Sequence, residues 1–178
     1  MPLTSVNPSN LKIIETHKEH SDQEIQGILN KCDKAQKHWS STKLKFRLEI
    51  IKVVGFVLKD NKNDYASMIV TEMGKPFSQA RSEIEKCIWL CEYYYSEASG
   101  ILKDKIIIND KKKSFISYQP IGIVLGIMPW NFPFWQVFRF VIPTLIVGNG
   151  VILKHASNVQ GCAKKIESCI LEAGFPDY

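Results

Sequence analysis

Residues Pro120–Ser157 read PIGIVLGIMPWNFPFWQVFRFVIPTLIVGNGVILKHAS. They constrain the fold more than any other part of the chain. Arg139 is the only charged residue between Lys113 and Lys154. Two apolar runs, Ile121–Met128 and Val151–Leu153, end abruptly in polar segments, Pro129-Trp130-Asn131 and Lys154-His155-Ala156-Ser157. A continuous apolar run of this length reads as a parallel strand buried on both faces. The stretch between, from Phe134 to about Val147, reads as an amphipathic crossover helix in which Pro143 introduces a kink or local unwinding. Gly148-Asn149-Gly150 supplies the return turn. Val159–Ala173 forms a further helix ended by Gly174. The pattern is strand, loop, helix, strand, loop, helix. Hydropathy alone would allow a membrane segment here, but Pro129, Asn131, Pro133, Gln136, Arg139, Pro143 and Asn149 interrupt it before about 20 apolar residues accumulate.

Upstream, the pattern changes to charged amphipathic helices. Met1–Asn10 is polar, carries two prolines and no signal-peptide pattern, and reads as an extended arm. Ser21-Asp22-Gln23-Glu24 is a capping box. It opens a helix whose apolar positions are Ile25, Ile28, Leu29, Cys32, Ala35 and Trp39. Ser40, Ser41 or Thr42 can cap a second helix, with Leu44, Leu48, Ile51 and Leu58 inward. A third helix runs from about Asp64 to Met73 and stops at Gly74. Pro76 suits the first turn of a fourth, with Phe77, Ala80, Ile84, Cys87, Cys91, Tyr94 and Ala98 as its stripe, ended by Gly100. Residues 105–118 read as a β-hairpin with a polar loop around Asn109–Lys113 and unprotected edges. The expected fold class is α/β. A helical region with a hairpin occupies 1–118, and the first βαβα part of a Rossmann-like nucleotide-binding domain occupies 119–178.

Charge and cysteine usage narrow the function classes. The net charge of +5 arises from 23 basic and 18 acidic residues. The basic residues are spread over helices, with Lys111-Lys112-Lys113 as the only run, so no nucleic-acid surface is expected. Five cysteines without a CxxC pair fit reduced thiols in a cytoplasmic protein. Cys87 and Cys91 lie on one helical face, but no further His or Cys completes a metal site, and buried thiols are expected.

In a right-handed βαβ unit, both strand ends open on one sheet edge, where α/β proteins bind ligands. Pro129-Trp130-Asn131 and Lys154–Ser157 should therefore face a shared crevice. Lys154 offers a cation, Asn131 an amide N–H able to stabilise an oxyanion, and Ser157 a hydroxyl for a sugar or phosphate. A lysine after a strand can equally be solvated, and an asparagine between Trp and Phe can satisfy its own turn. Gly122–Gly126 lies inside a strand and does not meet the dinucleotide fingerprint.

The segments PWNFPFWQ, preceded by QPIGIVLGI and followed by GNGVILKHAS and EAGFP, resemble the aldehyde dehydrogenase superfamily, especially its succinate-semialdehyde dehydrogenases. TEMGKPFSQARSEI upstream supports the same resemblance. It implies NAD(P)-dependent oxidation of an aldehyde to its acid. Asn131 would be the oxyanion stabiliser. Trp130 would line the nicotinamide end of NAD or NADP. Lys154 would hold the adenosine ribose, and Ser157 would leave room for an NADP phosphate. The hairpin would be part of an oligomerisation arm, implying a homo-oligomer. The family's nucleophilic cysteine and general-base glutamate fall downstream of these segments. The resemblance therefore implies a truncated N-terminal piece, inactive alone. Alternatives are half of a split enzyme completed by a second, C-terminal chain, and a non-catalytic interaction protein.

Overall fold

A computed structural model describes residues 3–109 and 112–176. Asp110 and Lys111, at the tip of the expected hairpin loop, lie outside the described residues, as do Met1, Pro2, Asp177 and Tyr178. In chain order the elements are β1 (Leu3–Val6), β2 (Ile13–His17), α1 (Asp22–Ser40), α2 (Leu44–Asp60), α3 (Lys62–Met73), α4 (Phe77–Ile101), β3 (Lys105–Asn109), β4 (Lys112–Ile116), β5 (Ile123–Met128), α5 (Trp135–Val147), β6 (Gly150–His155) and α6 (Gln160–Glu172). The described strands form three two-stranded sheets: antiparallel β1–β2 and β3–β4, and parallel β5–β6.

Most elements follow from the local chemistry. The α1 capping box forms: the Glu24 amide donates to Ser21 Oγ at 3.3 Å, and the Ser21 amide donates back to Glu24 Oε2 at 2.7 Å. Lys18, first, and the Ser21 donors hold the Glu24 carboxyl down at about 2. Gly74 closes α3 at φ 73°, a left-handed conformation that other residues resist.

Several boundaries differ from expectation. The arm expected at residues 1–10 enters a hairpin, because β1 finds a partner in β2. Ser40, Ser41 and Thr42 do not cap α2; their hydroxyls donate to the carbonyls of Lys37, His38 and Trp39 and finish α1 instead. Helix α3 starts at Lys62, two residues early. Pro76 is the residue before α4 rather than in its first turn, and α4 passes Gly100 by one residue. Ile25, Leu29 and Phe77, expected inward, are exposed. Helix α5 runs through Pro143 without unwinding.

The core lies between α2, α3 and α4 on one side and α5 and α6 on the other. Phe134 and Phe138 are fully buried, each contributing roughly 1.5–3 kcal/mol. Phe134 stacks on Tyr65 with ring centroids 5.3 Å apart. Helix α5 is held at its carboxyl end by three side chains from the first two helices. Trp39 Nε1 donates to Leu145 O at 2.8 Å, Arg47 Nε to Ile146 O at 2.8 Å, and Gln36 Nε2 to Gly148 O at 3.0 Å. Leu145 O also accepts from the Gly148 amide at 3.0 Å, whereas Ile146 O and Gly148 O have no later turn of α5 to satisfy them, and the guanidinium suits the negative end of the helix.

The expectation of a strand buried on both faces is corrected. The strand begins at Ile123, and only one of its faces is well covered. Phe140 of α5 lies over Gly126, so close that a side chain there would strike the ring. On the opposite face Leu125 is 57% and Ile127 70% exposed. The apolar run is matched to two coverings, and the described residues supply one along the carboxyl half of the strand.

Candidate functional site

The parallel register sets Ile127 opposite Lys154 and Met128 opposite His155. Both strands therefore end level, and Pro129-Trp130-Asn131 and Ala156-Ser157 leave from the same sheet edge. The residues expected to share a crevice, Trp130, Asn131, Lys154 and Ser157, are all brought to that edge and are all exposed. Alternation along the strands puts Lys154 on the same face as Leu125 and Ile127, so a cation stands at the end of an open apolar strip. Among the described residues, no hydrogen bond engages the Asn131 side-chain amide or the Ser157 hydroxyl, and both face outward.

What holds these loops was not singled out from sequence. Glu83 on α4 and Lys75 just before it are 4% and 8% exposed. Glu83 Oε1 accepts from the amides of Phe134 and Trp135, at 2.9 and 3.0 Å, where α5 begins without a side-chain cap of its own. Glu83 Oε2 pairs with Lys75 Nζ at 2.5 Å. Lys75 Nζ also donates to Asn131 O at 3.0 Å and lies 3.8 Å from the centre of the Phe132 ring.

Glu72 does for α6 what Glu83 does for α5. Its two carboxylate oxygens accept from the amides of Gly161 and Cys162 at 2.7 and 2.8 Å. A side chain at Gly161 would meet Met68 Sδ at 2.7 Å and Glu72 Oε1 at 2.8 Å, and would displace the carboxylate from its two amides. The two helices that follow the parallel strands thus have their positive ends filled by carboxylates. Neither end is open to a phosphate, in contrast to folds that seat the pyrophosphate there. The sequence did carry a signal. Glu72 falls three residues after Ile69, and Glu83 three after Ala80 and four before Cys87, on otherwise buried stripes. A carboxylate on such a stripe needs a buried donor.

His155 ties the two loops together. The Ala156 amide donates to Nδ1 at 2.9 Å, so Nδ1 is the acceptor and Nε2 carries the proton, which it donates to Pro133 O at 2.9 Å. Burial, first, lowers the pKa of the ring and keeps it neutral.

All five cysteines are free and buried. Burial, above all, pushes every one of these thiols up, Cys169 to about 12 and Cys87 far above the ordinary range. None is a thiolate nucleophile at neutral pH. Among the described residues, no group of three potential ligands could hold a metal ion, and no helix is long and apolar enough to cross a membrane.

Comparison with known proteins accounts for this geometry. The chain is 39% identical over 177 residues to a Synechocystis protein named "Probable succinate-semialdehyde dehydrogenase" of the NADP+ type, a match covering 99% of this chain and 39% of that protein. It is 36% identical to the Escherichia coli succinate semialdehyde dehydrogenase Sad, an NAD(P)+ enzyme, over 97% of this chain and 37% of the relative. The chain thus spans well under half the length of these curated relatives. Its fold superposes on the structure of Streptococcus pyogenes succinic semialdehyde dehydrogenase in complex with NADP+ with a TM-score of 0.93 and 29% identity, over 98% of this chain and 41% of that one. A structure of Gox0499, studied for cofactor and substrate selection, gives a TM-score of 0.96 at 30% identity, over 99% of this chain and 39% of that one. The sequence profile of the aldehyde dehydrogenase family matches residues 2–178. With helices, hairpin and parallel pair all falling in the amino-terminal part of such structures, the chain belongs to the aldehyde dehydrogenase family.

Proposed function

We propose that residues 119–178 form the nucleotide-side wall of a site that oxidises an aldehyde of the succinate semialdehyde type with NAD or NADP. The observation that carries this reading is the level ending of β5 and β6, which sets an unengaged amide and an exposed ammonium on one sheet edge. Asn131 directs an N–H toward the aldehyde oxygen as negative charge develops there. Trp130 flanks the nicotinamide. Lys154 and Ser157 hold the adenosine ribose, and the small Ser157 hydroxyl leaves space for a ribose phosphate. The open strip of Leu125 and Ile127 offers apolar surface beside that cation. Bound NAD(P)+ supplies the hydride acceptor.

Oxidation also needs a nucleophile to hold the aldehyde carbon and a base to activate water. The five buried neutral thiols do not provide the first, so the nucleophile comes from outside these 178 residues, in a longer chain or a second one, and by the family resemblance the base comes with it. The chain alone is inactive on this reading. Strands β3 and β4 carry exposed Ile106, Ile107, Ile108, Phe115 and Ile116. That composition suits pairing with a second copy of the chain or with the chain that completes the site.

The test is calorimetric titration of NADP+ and NAD+ into the chain and its Lys154→Ala variant. The variant is expected to bind roughly tenfold more weakly or worse, the size of one charge-assisted hydrogen bond, with an unchanged circular dichroism spectrum. Equal affinity removes Lys154 from the site, and no binding by the unaltered chain refutes the wall as a self-sufficient nucleotide site.

A further inference from the structure

A buried ion pair is an expensive way to stabilise a protein. Two apolar residues of similar shape commonly do as well, because desolvating the charges offsets their attraction. Lys75 and Glu83 are nevertheless almost wholly enclosed, and each spends its remaining hydrogen-bonding capacity on the backbone of one short segment. Lys75 Nζ meets Asn131 O, and Glu83 Oε1 meets the amides of Phe134 and Trp135. From the other side His155 Nε2 meets Pro133 O. Four backbone groups between residues 131 and 135 are therefore fixed by three buried side chains from outside the segment. The Asn131 side chain is exposed and makes no hydrogen bond among the described residues.

We propose that Lys75 and Glu83 are positioning residues: an ion-paired bracket, anchored on α4, that fixes the peptide backbone at Asn131 and at the start of α5 and thereby sets the direction of the Asn131 amide. The purpose given to that direction rests on the oxyanion reading above; the bracket itself is a statement about geometry and is tested as one. Removing Lys75 alone would strand a buried carboxylate, and removing Glu83 alone a buried ammonium. Each would lower stability whether or not the pair positions anything. The informative change is the neutral pair Lys75→Met with Glu83→Gln, which keeps the shape, retains an acceptor for the α5 amides and withdraws both charges.

The experiment is amide hydrogen exchange and 1H–15N spectroscopy on the full chain. In the unaltered protein the Phe134 and Trp135 amides exchange slowly, although they lie at a helix start where no intrahelical acceptor exists. Fast exchange there overturns the bracket without any variant. In the double variant some stability is lost, because Asn131 O gives up its donor, but an unchanged far-UV circular dichroism spectrum shows that α5 is intact and lets the local effects be read against it. The same two amides exchange roughly 10- to 100-fold faster, and the Asn131 side-chain signals shift or broaden, while amides in the body of α5 are unchanged. Parental exchange and parental Asn131 signals in the double variant would overturn the proposal. Titrating NADP+ into the same samples reports on the nucleotide reading separately, through the Lys154 and Ser157 amides, so failure of one is distinguishable from failure of the other.

Discussion

His155 shows how much one ring can hold at the residue scale. Its neutral Nε2–H tautomer serves Pro133 O and the Ala156 amide at once, and a proton on Nδ1 would break the second contact. The charged groups acting on it are Glu72, which favours the proton, and Lys154, which opposes it; burial outweighs both, and the pKa is lowered. A base whose pKa falls on folding contributes stability above its unfolded value of about 6.5 and loses it as pH drops through the folded value. Urea midpoints should therefore decline as pH falls below about 6.5, and the decline should be shallower in His155→Asn. Parallel profiles for the two proteins would rule the ring out as the titrating group. At this scale the placement of Asn131, Lys154 and Ser157 on one sheet edge was legible, because they lie in or just after the carboxyl ends of the two strands of a βαβ pattern. Glu72, Glu83, Lys75 and His155 were not, because each works through a backbone group up to 90 residues away in sequence. Their own neighbourhoods say only that a polar side chain sits on an apolar stripe.

Among the elements, α5 depends most on its surroundings. It has no side-chain cap of its own, it contains Pro143, and it is bounded by a carboxylate at one end and a guanidinium at the other. Arg47 uses its fork twice: Nε serves Ile146 O, and one terminal nitrogen serves Thr42 O and Oγ1. Burial, the first cause, lowers its pKa. Arg47→Lys keeps the charge but has a single donor head, and cannot reach both places in the same way. The expected loss is about 1–3 kcal/mol, the cost of one buried carbonyl left unpaired, measured by urea unfolding. A loss under about 0.5 kcal/mol, the usual range for inconsequential surface changes, would mean that α5 does not rely on the fork. The helix itself was legible from its apolar periodicity. Its continuity through Pro143 was not, since that depends on packing against α4 and the parallel strands rather than on local propensity.

For the molecule as a whole, apolar surface is distributed unevenly. The helices enclose a continuous core, while the β3–β4 ribbon and the outer face of β5 leave large side chains in water, with Ile108 88% exposed. Contiguous apolar surface of this kind drives association. Sedimentation velocity should show the chain self-associating with rising concentration, and Ile108→Lys together with Phe115→Lys should shift it toward monomer. An unaltered chain that remains monomeric would sink that expectation. Sequence reading anticipated the α/β class and the unprotected hairpin edges. It overstated the cover on β5, because an apolar run records what a strand is suited to meet, and the described residues leave Leu125 and Ile127 more than half exposed.

The grip on the carboxyl end of α5 also orders events in time. Gln36, Trp39 and Arg47 wait for carbonyls that lie 112, 106 and 99 residues further along. A ribosome adds roughly 5–20 residues each second, so the first four helices are synthesised seconds before the element they clasp. During that interval Glu83 and Arg47 remain hydrated, and the apolar faces of α2 and α4 have only each other and α3. Arrival of α5 completes two charged caps together, and α6 then closes the core. Chains released at residue 130, before α5, should accordingly be open to protease along α1 and α2, whereas the full chain should be resistant there.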